Sequence, residues 1–130
     1  MEKTNEIVKL QGDSSWENAL NNESWIAPIA DIYETENDYY LTAYMPGVSR
    51  ENIKIRLEDG SLVIMGRINY REIQSRKYIL KESESGNYFR RFRISENVDI
   101  EKIEASFDNG QLEMKLGKLD RFKPRIISIK

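Results

Sequence analysis

Neither cysteine nor histidine occurs in these 130 residues. Without cysteine there is no disulfide framework and no thiolate metal site. Without histidine the chain lacks the commonest general base, the usual activator of a nucleophilic serine and the commonest zinc ligand. Ser14, Ser61, Ser83 and Ser128 therefore have no histidine to activate them. Gly60, Gly66 and Gly110 stand singly at turns rather than in a phosphate-cradling loop, so no nucleotide or other cofactor is expected. Neither sign of charge dominates: 20 Lys and Arg against 22 Asp and Glu give a net charge of −2, with no general attraction to nucleic acid or an anionic membrane. No apolar run approaches the length of a membrane span, and Met1-Glu2-Lys3-Thr4-Asn5-Glu6 lacks the basic-then-apolar order of a signal peptide. The expectation is a soluble cytoplasmic protein that is not an enzyme and holds no metal.

What is present is 39% hydrophobic and 32% charged residues in a length that suits one globular domain. The clearest local pattern runs from Ile103 to Leu116. Ile103, Ala105 and Phe107 share one face of a first arm, and Leu112, Met114 and Leu116 share one face of a second, with polar residues between. Asn109-Gly110 supplies the positive-φ pair that a tight hairpin turn needs.

The rest of the chain reads as short strands after an unlike beginning. Residues 1 to 27 are polar with scattered large apolar groups, among them Ile7, Val8, Leu10, Trp16, Leu20, Trp25 and Ile26. Ser14-x-x-Glu17 has the form of a capping box for a short helix that puts Trp16 and Leu20 one turn apart and stops at Asn21-Asn22. This segment is either a frayed tail or an arm that packs on a neighbouring subunit or a client. From Pro28, turn signals every eight to twelve residues predict an all-β sandwich or barrel, with strands over Ile29 to Tyr33, Tyr39 to Tyr44, Ile53 to Leu57 and Leu62 to Met65. Leu62-Val63-Ile64-Met65 is apolar on both faces and belongs at the centre of a sheet. Residues 67 to 86 form a long charged connection with a β-like island, Tyr78-Ile79-Leu80, and Tyr88 to Ile94 is an arginine-rich strand. Gly117 to Arg125 is a polar linker, and Ile127-Ser128-Ile129 closes the chain either as a last strand folded back or as a tag for another subunit.

Ala105, Asn109, Gly110 and Leu112 have the form Ala-x-x-x-Asn-Gly-x-Leu, which resembles the signature of the α-crystallin domain of small heat-shock proteins. Met45-Pro46-Gly47-Val48 with Glu51 and Ile53 looks like that family's proline-glycine entry to its next strand. Tyr88-Phe89-Arg90-Arg91-Phe92-Arg93-Ile94 looks like its arginine strand, and Ile127-Ser128-Ile129 like its C-terminal Ile-x-Ile tag. Ser95 and Gly117 stand where the family commonly has proline.

The resemblance implies an antiparallel immunoglobulin-like β-sandwich over residues 28–118, preceded by a variable arm, 1–27, and followed by a C-terminal extension, 119–130. It implies an ATP-independent holdase that binds partly unfolded proteins and assembles as a homo-oligomer of dimers. By the same resemblance Trp16, Leu20, Trp25 and Ile26 serve client capture, and Ile127 and Ile129 fill a groove lined by Ile53, Ile55, Leu57, Ile103 and Ala105. Tyr78, Ile79 and Leu80 are then donated to a second subunit's sheet edge, and Arg90 is an ion-pair residue of the dimer interface. The alternative is a single-stranded nucleic-acid binder that uses Tyr88 to Arg93, with Phe89, Arg91 and Arg93 exposed for stacking and phosphate contact. The nearby Glu82, Glu84 and Glu96 weigh against it.

Overall fold

The structure, a computed structural model, describes residues 14–130, so Ile7, Val8 and Leu10 lie outside the described residues. In chain order the elements are α1 (Ser14–Asn22), β1 (Trp25–Ile26), β2 (Ile29–Glu34), β3 (Asp38–Tyr44), β4 (Ile53–Glu58), β5 (Ser61–Gly66), α2 (Tyr70–Gln74), β6 (Asn87–Arg93), β7 (Val98–Asp108) and β8 (Gln111–Lys118). Short 3-10 turns occupy Arg50–Asn52 and Asp120–Phe122. The strands form two four-stranded sheets, β1-β6-β5-β4 and β2-β3-β8-β7, packed as a sandwich. Every pairing is antiparallel except β1 with β6, which is parallel.

Alternation builds the core. Leu41 and Ala43 of β3, Phe107 of β7, and Leu112, Met114 and Leu116 of β8 meet Leu62 and Ile64 of β5 and Tyr88 of β6. Asn109 and Gly110 have φ of 50° and 75°, and Asp59 and Gly60 have φ of 50° and 73°, so both hairpins close through pairs of left-handed residues that keep the strand twist. The Asn109-Gly110 turn also docks. Met45 N–H donates to Gly110 O at 2.7 Å, and a Cβ on Gly110 would meet Pro46 Cα at 3.0 Å. Two motifs far apart in sequence are therefore in contact.

β5 is buried along its whole length, as its two-sided apolarity predicts. Its second face is covered by the N-terminal segment. Trp16 (5% exposed) packs with Val63 and Met65, joined by Leu20, Trp25 and Phe89. The helix over residues 14–22 agrees with the spacing of Trp16 and Leu20, but it rests on the chain's own sheet instead of reaching away from it.

Besides the unforeseen β1, three elements depart from the sequence reading. α2 lies inside the supposed loop, capped by Asn69, whose side chain accepts from Glu72 N–H, and its Tyr70 and Ile73 pack against the core. β7 begins at Val98, with an irregularity in its pairing before Ile103. β8 continues through Gly117 to Lys118, where the lysine ammonium donates to Glu34 Oε2 at 2.6 Å and to Thr35 O at 2.8 Å. That contact ties the start of the linker to the β2–β3 turn.

Candidate functional site

The sandwich is open along one long side, where the outer strands β4 and β7 of the two sheets face each other without a shared ladder. A groove of about 340 Å³ lies there, lined by Arg50, Ile53, Ile55, Ala105, Ser106, Phe107 and Leu112. Arg50 spans one end and donates through Nη2 to Phe107 O at 2.9 Å. Of the expected lining residues, the structure brings Ile53, Ile55 and Ala105 together. Ile103 is half-buried and packs on the core, and Leu57, 40% exposed, is not in the wall of this groove. Arg50 and Phe107 were not foreseen, because Arg50 sits in a turn and Phe107 reads as ordinary core.

The tail does not fill the groove of its own chain. No strand occurs from residue 119 onward, and Ile126, Ile127 and Ile129 are 99%, 79% and 97% exposed. The expected alternative of a last strand folded back on its own domain is not what the structure shows.

A second exposed set lies in the connection before β6. Tyr78, Ile79 and Leu80 form no strand within the chain and are 43%, 104% and 73% exposed. The sheet edge at β2 is likewise unpaired on one side, and it carries exposed Ile29, Ile32 and Tyr33. Ile68, Tyr70 and Ile73 belong to the core, so the free part of the long connection begins only after Ser75.

Arg90 lies half-buried on β6, where its Nη1 donates to Pro28 O at 3.0 Å and its guanidinium stands 4.7 Å from the Phe92 ring centroid. Within the chain its partner is thus a backbone carbonyl and a ring face. Phe89, on the opposite face of β6, packs with Trp16, Val63 and Met65 under α1. That removes the central aromatic from the stacking surface a nucleic-acid binder would need.

The arm residues are held closely. Trp25 Nε1 donates to Ala19 O at 2.9 Å, and Lys54 and Arg67 lie 5.5 and 5.6 Å from the Trp16 ring. Leu20, Trp25 and Ile26 are half-buried. No group of three or more acidic side chains among the described residues converges to hold a metal ion, and no helix among them is long and apolar enough to cross a membrane.

A model of the Hsp20/alpha crystallin family matches residues 31–130. The chain is 38% identical over 101 residues to the 17.6 kDa class I heat shock protein 3 of Arabidopsis thaliana, covering 76% of this chain and 64% of that one. It is 30% identical over 126 residues to small heat shock protein C4 of Rickettsia felis, covering 96% and 74%. Among solved structures, a small heat-shock protein from Xylella fastidiosa, described as having a distinct high order structure, superposes with a TM-score of 0.66 at 29% identity, covering 82% of this chain and 99% of that one.

Proposed function

The chain belongs to the Hsp20/alpha crystallin family, and from that membership we propose that it is an ATP-independent holdase that binds partly unfolded proteins and keeps them from aggregating, with no chemical step. The observation that carries this reading is the unfilled groove between β4 and β7, where half-buried Ile53 and Ile55 and exposed Ala105 present apolar surface between the polar Arg50 and Ser106. We place the protein in the cytoplasm, with neither nucleic acid nor a membrane as partner. The even charge balance supports the absence of a nucleic-acid or membrane partner.

Assembly follows from the same surfaces. Ile127 and Ile129 of one copy seat in the groove of another, their two-residue spacing matching one face of an added extended segment. Full burial of one isoleucine is worth about 1.5–3 kcal/mol, offset by the ordering of the linker. A single tag therefore binds weakly, and many tags acting together hold an oligomer that exchanges subunits. The underlying dimer forms when residues 76–82 of one copy add to the β2 edge of the other. Charge supports this pairing: Lys77 and Lys81 flank the apolar island, and β2 carries Asp31. Arg90, beside Pro28 at the head of β2, rims that contact. Trp16, Leu20, Trp25 and Ile26 engage clients once α1 lifts from Val63 and Met65.

Aggregation of a heat-labile protein, followed by light scattering without nucleotide, tests the proposal. Suppression near one subunit per client supports it; unchanged scattering at that ratio overturns it.

A further inference from the structure

A second cavity lies on the side of the sandwich away from the groove, and nothing in the chain fills it. It has about 190 Å³ and sits where β2 and β3 meet the end of β6, walled chiefly by Ile32, Leu41, Leu62, Phe92 and Ile94, with Arg93 among its polar lining. We infer that this cavity is the seat of Leu80 from a second copy of the chain. The inference rests on the reading that residues 76–82 dimerise by adding to β2, and it assigns which face of the added strand turns inward.

The assignment follows from alternation on both strands. On β2, Ala30 and Ile32 stand opposite buried Ala43 and Leu41 and so face the sandwich interior, while Asp31 and Tyr33 stand opposite Thr42 and Tyr40 on the outer face. Tyr33 and Tyr40 are stacked there with ring centroids 4.9 Å apart, and Tyr33 is 59% exposed. An extended 76–82 segment carries Lys77, Ile79 and Lys81 on one face and Arg76, Tyr78, Leu80 and Glu82 on the other.

Charge and desolvation decide between the two ways of laying it down. Turning Lys77 and Lys81 inward would place ammonium groups against a carbon-lined cavity that already has Arg93 in its wall. The opposite face puts those lysines beside Asp31 and the stacked tyrosines, whose ring faces attract cations, and lays Ile79 on exposed Ile29 and Tyr33. Leu80 then enters the cavity with Glu82 beside Arg93. Leu80 suits that seat better than Tyr78, because its whole side chain matches the apolar walls of Ile32, Leu41, Leu62 and Phe92, whereas a tyrosine would have to bring its hydroxyl to Arg93 or Ser95 at the edge. Arg76 is already satisfied by Glu72, with Nη2 2.7 Å from Oε1.

The chain has no cysteine of its own, so introduced pairs report the facing directly. Full-length Ile32→Cys subunits are mixed with Leu80→Cys subunits, oxidised and resolved without reductant, in parallel with Ile32→Cys mixed with Ile79→Cys. A disulfide needs Cβ atoms about 3.5–4.5 Å apart, so only the pair on one face closes quickly. The expected result is rapid cross-linking of Ile32→Cys with Leu80→Cys and little with Ile79→Cys. The reverse preference overturns the cavity assignment and leaves the dimer reading standing. Cross-linking of neither pair, in a sample that sediments as dimers or as monomers, overturns the addition to β2 itself. Leu80 is 73% exposed in the single chain, so Leu80→Ala leaves the fold intact; it is expected to raise the dimer dissociation constant about tenfold, and an unchanged constant counts against the seat.

Discussion

Asn87, fully buried at the start of β6, donates its Nδ2 to Glu23 Oε1 at 2.7 Å and accepts the Ile68 N–H on Oδ1 at 2.9 Å. One carboxamide thereby ties the α1–β1 junction to the segment that follows β5. Glu23 also lies 3.6 Å from Arg67, and the Asn87 N–H donates to Ser24 O at 2.8 Å. Replacing Asn87 by alanine leaves the Ile68 N–H unsatisfied in the interior, at a cost of about 1–3 kcal/mol. Asn87→Ala is expected to accelerate hydrogen exchange across residues 15–26 and to shift tryptophan emission to the red. Unchanged exchange there would mean that packing alone holds the helix.

Gly110 and Gly60 make a matched pair of probes. Their φ values are 75° and 73°, so alanine at either pays the left-handed penalty of about 1–2 kcal/mol. Only Gly110 has backbone within reach of the new carbon, Pro46 Cα at 3.0 Å, whereas nothing lies within 4 Å at Gly60. Gly110→Ala is thus expected to unfold at lower denaturant than Gly60→Ala. Equal midpoints would show that the turn does not rely on its contact with Pro46.

Ile127→Ala combined with Ile129→Ala is expected to lower the assembly mass seen by light scattering while circular dichroism stays that of a β-protein. Both side chains are almost fully exposed in the single chain, so the domain does not depend on them. An unaltered mass would remove the tag from the assembly.

Tyr88 links alkaline pH to stability. Its hydroxyl donates to Pro46 O at 2.9 Å, and burial raises its pKa above the ordinary 10.0. A raised folded pKa means that the contribution is fully present below the unfolded value and is lost as pH rises through the folded one. Tyr88→Phe is expected to cost about 1 kcal/mol at pH 7, measured by urea unfolding. The gap to the unmodified chain should narrow above pH 10; a constant gap would separate the effect from ionisation.

Strand alternation made most of the sandwich legible. Ile103 to Leu116 and the two-sided apolar run at Leu62 to Met65 each dictated a face, and Asp59-Gly60 and Asn109-Gly110 dictated turns. What escaped was whatever depends on partners distant in sequence. Nothing in Val63 and Met65 tells that Trp16 covers them, and nothing in Arg90 tells that its acceptor is the Pro28 carbonyl. β1 is two residues long and shows no period. α2 did carry a signal, Asn69 followed three positions later by Glu72, but its five residues lie within a charged stretch that reads as loop. At the groove, the isoleucines were visible as a strand face, whereas Arg50 and Phe107 enter it only through the geometry of a turn and a strand end.

The tryptophan cover over β5 alters what an arm deletion can mean. Removing residues 1–27 strips Trp16, Leu20 and Trp25 from Val63, Met65 and Phe89, and so bares a patch that is dry in the intact chain. The shortened protein would lose one adhesive surface and gain another. Its own solubility, and any binding it retains, would then report on an artificial scar as much as on the missing segment. Exchanging Trp16 and Trp25 for leucine, with the helix left in place, separates the two.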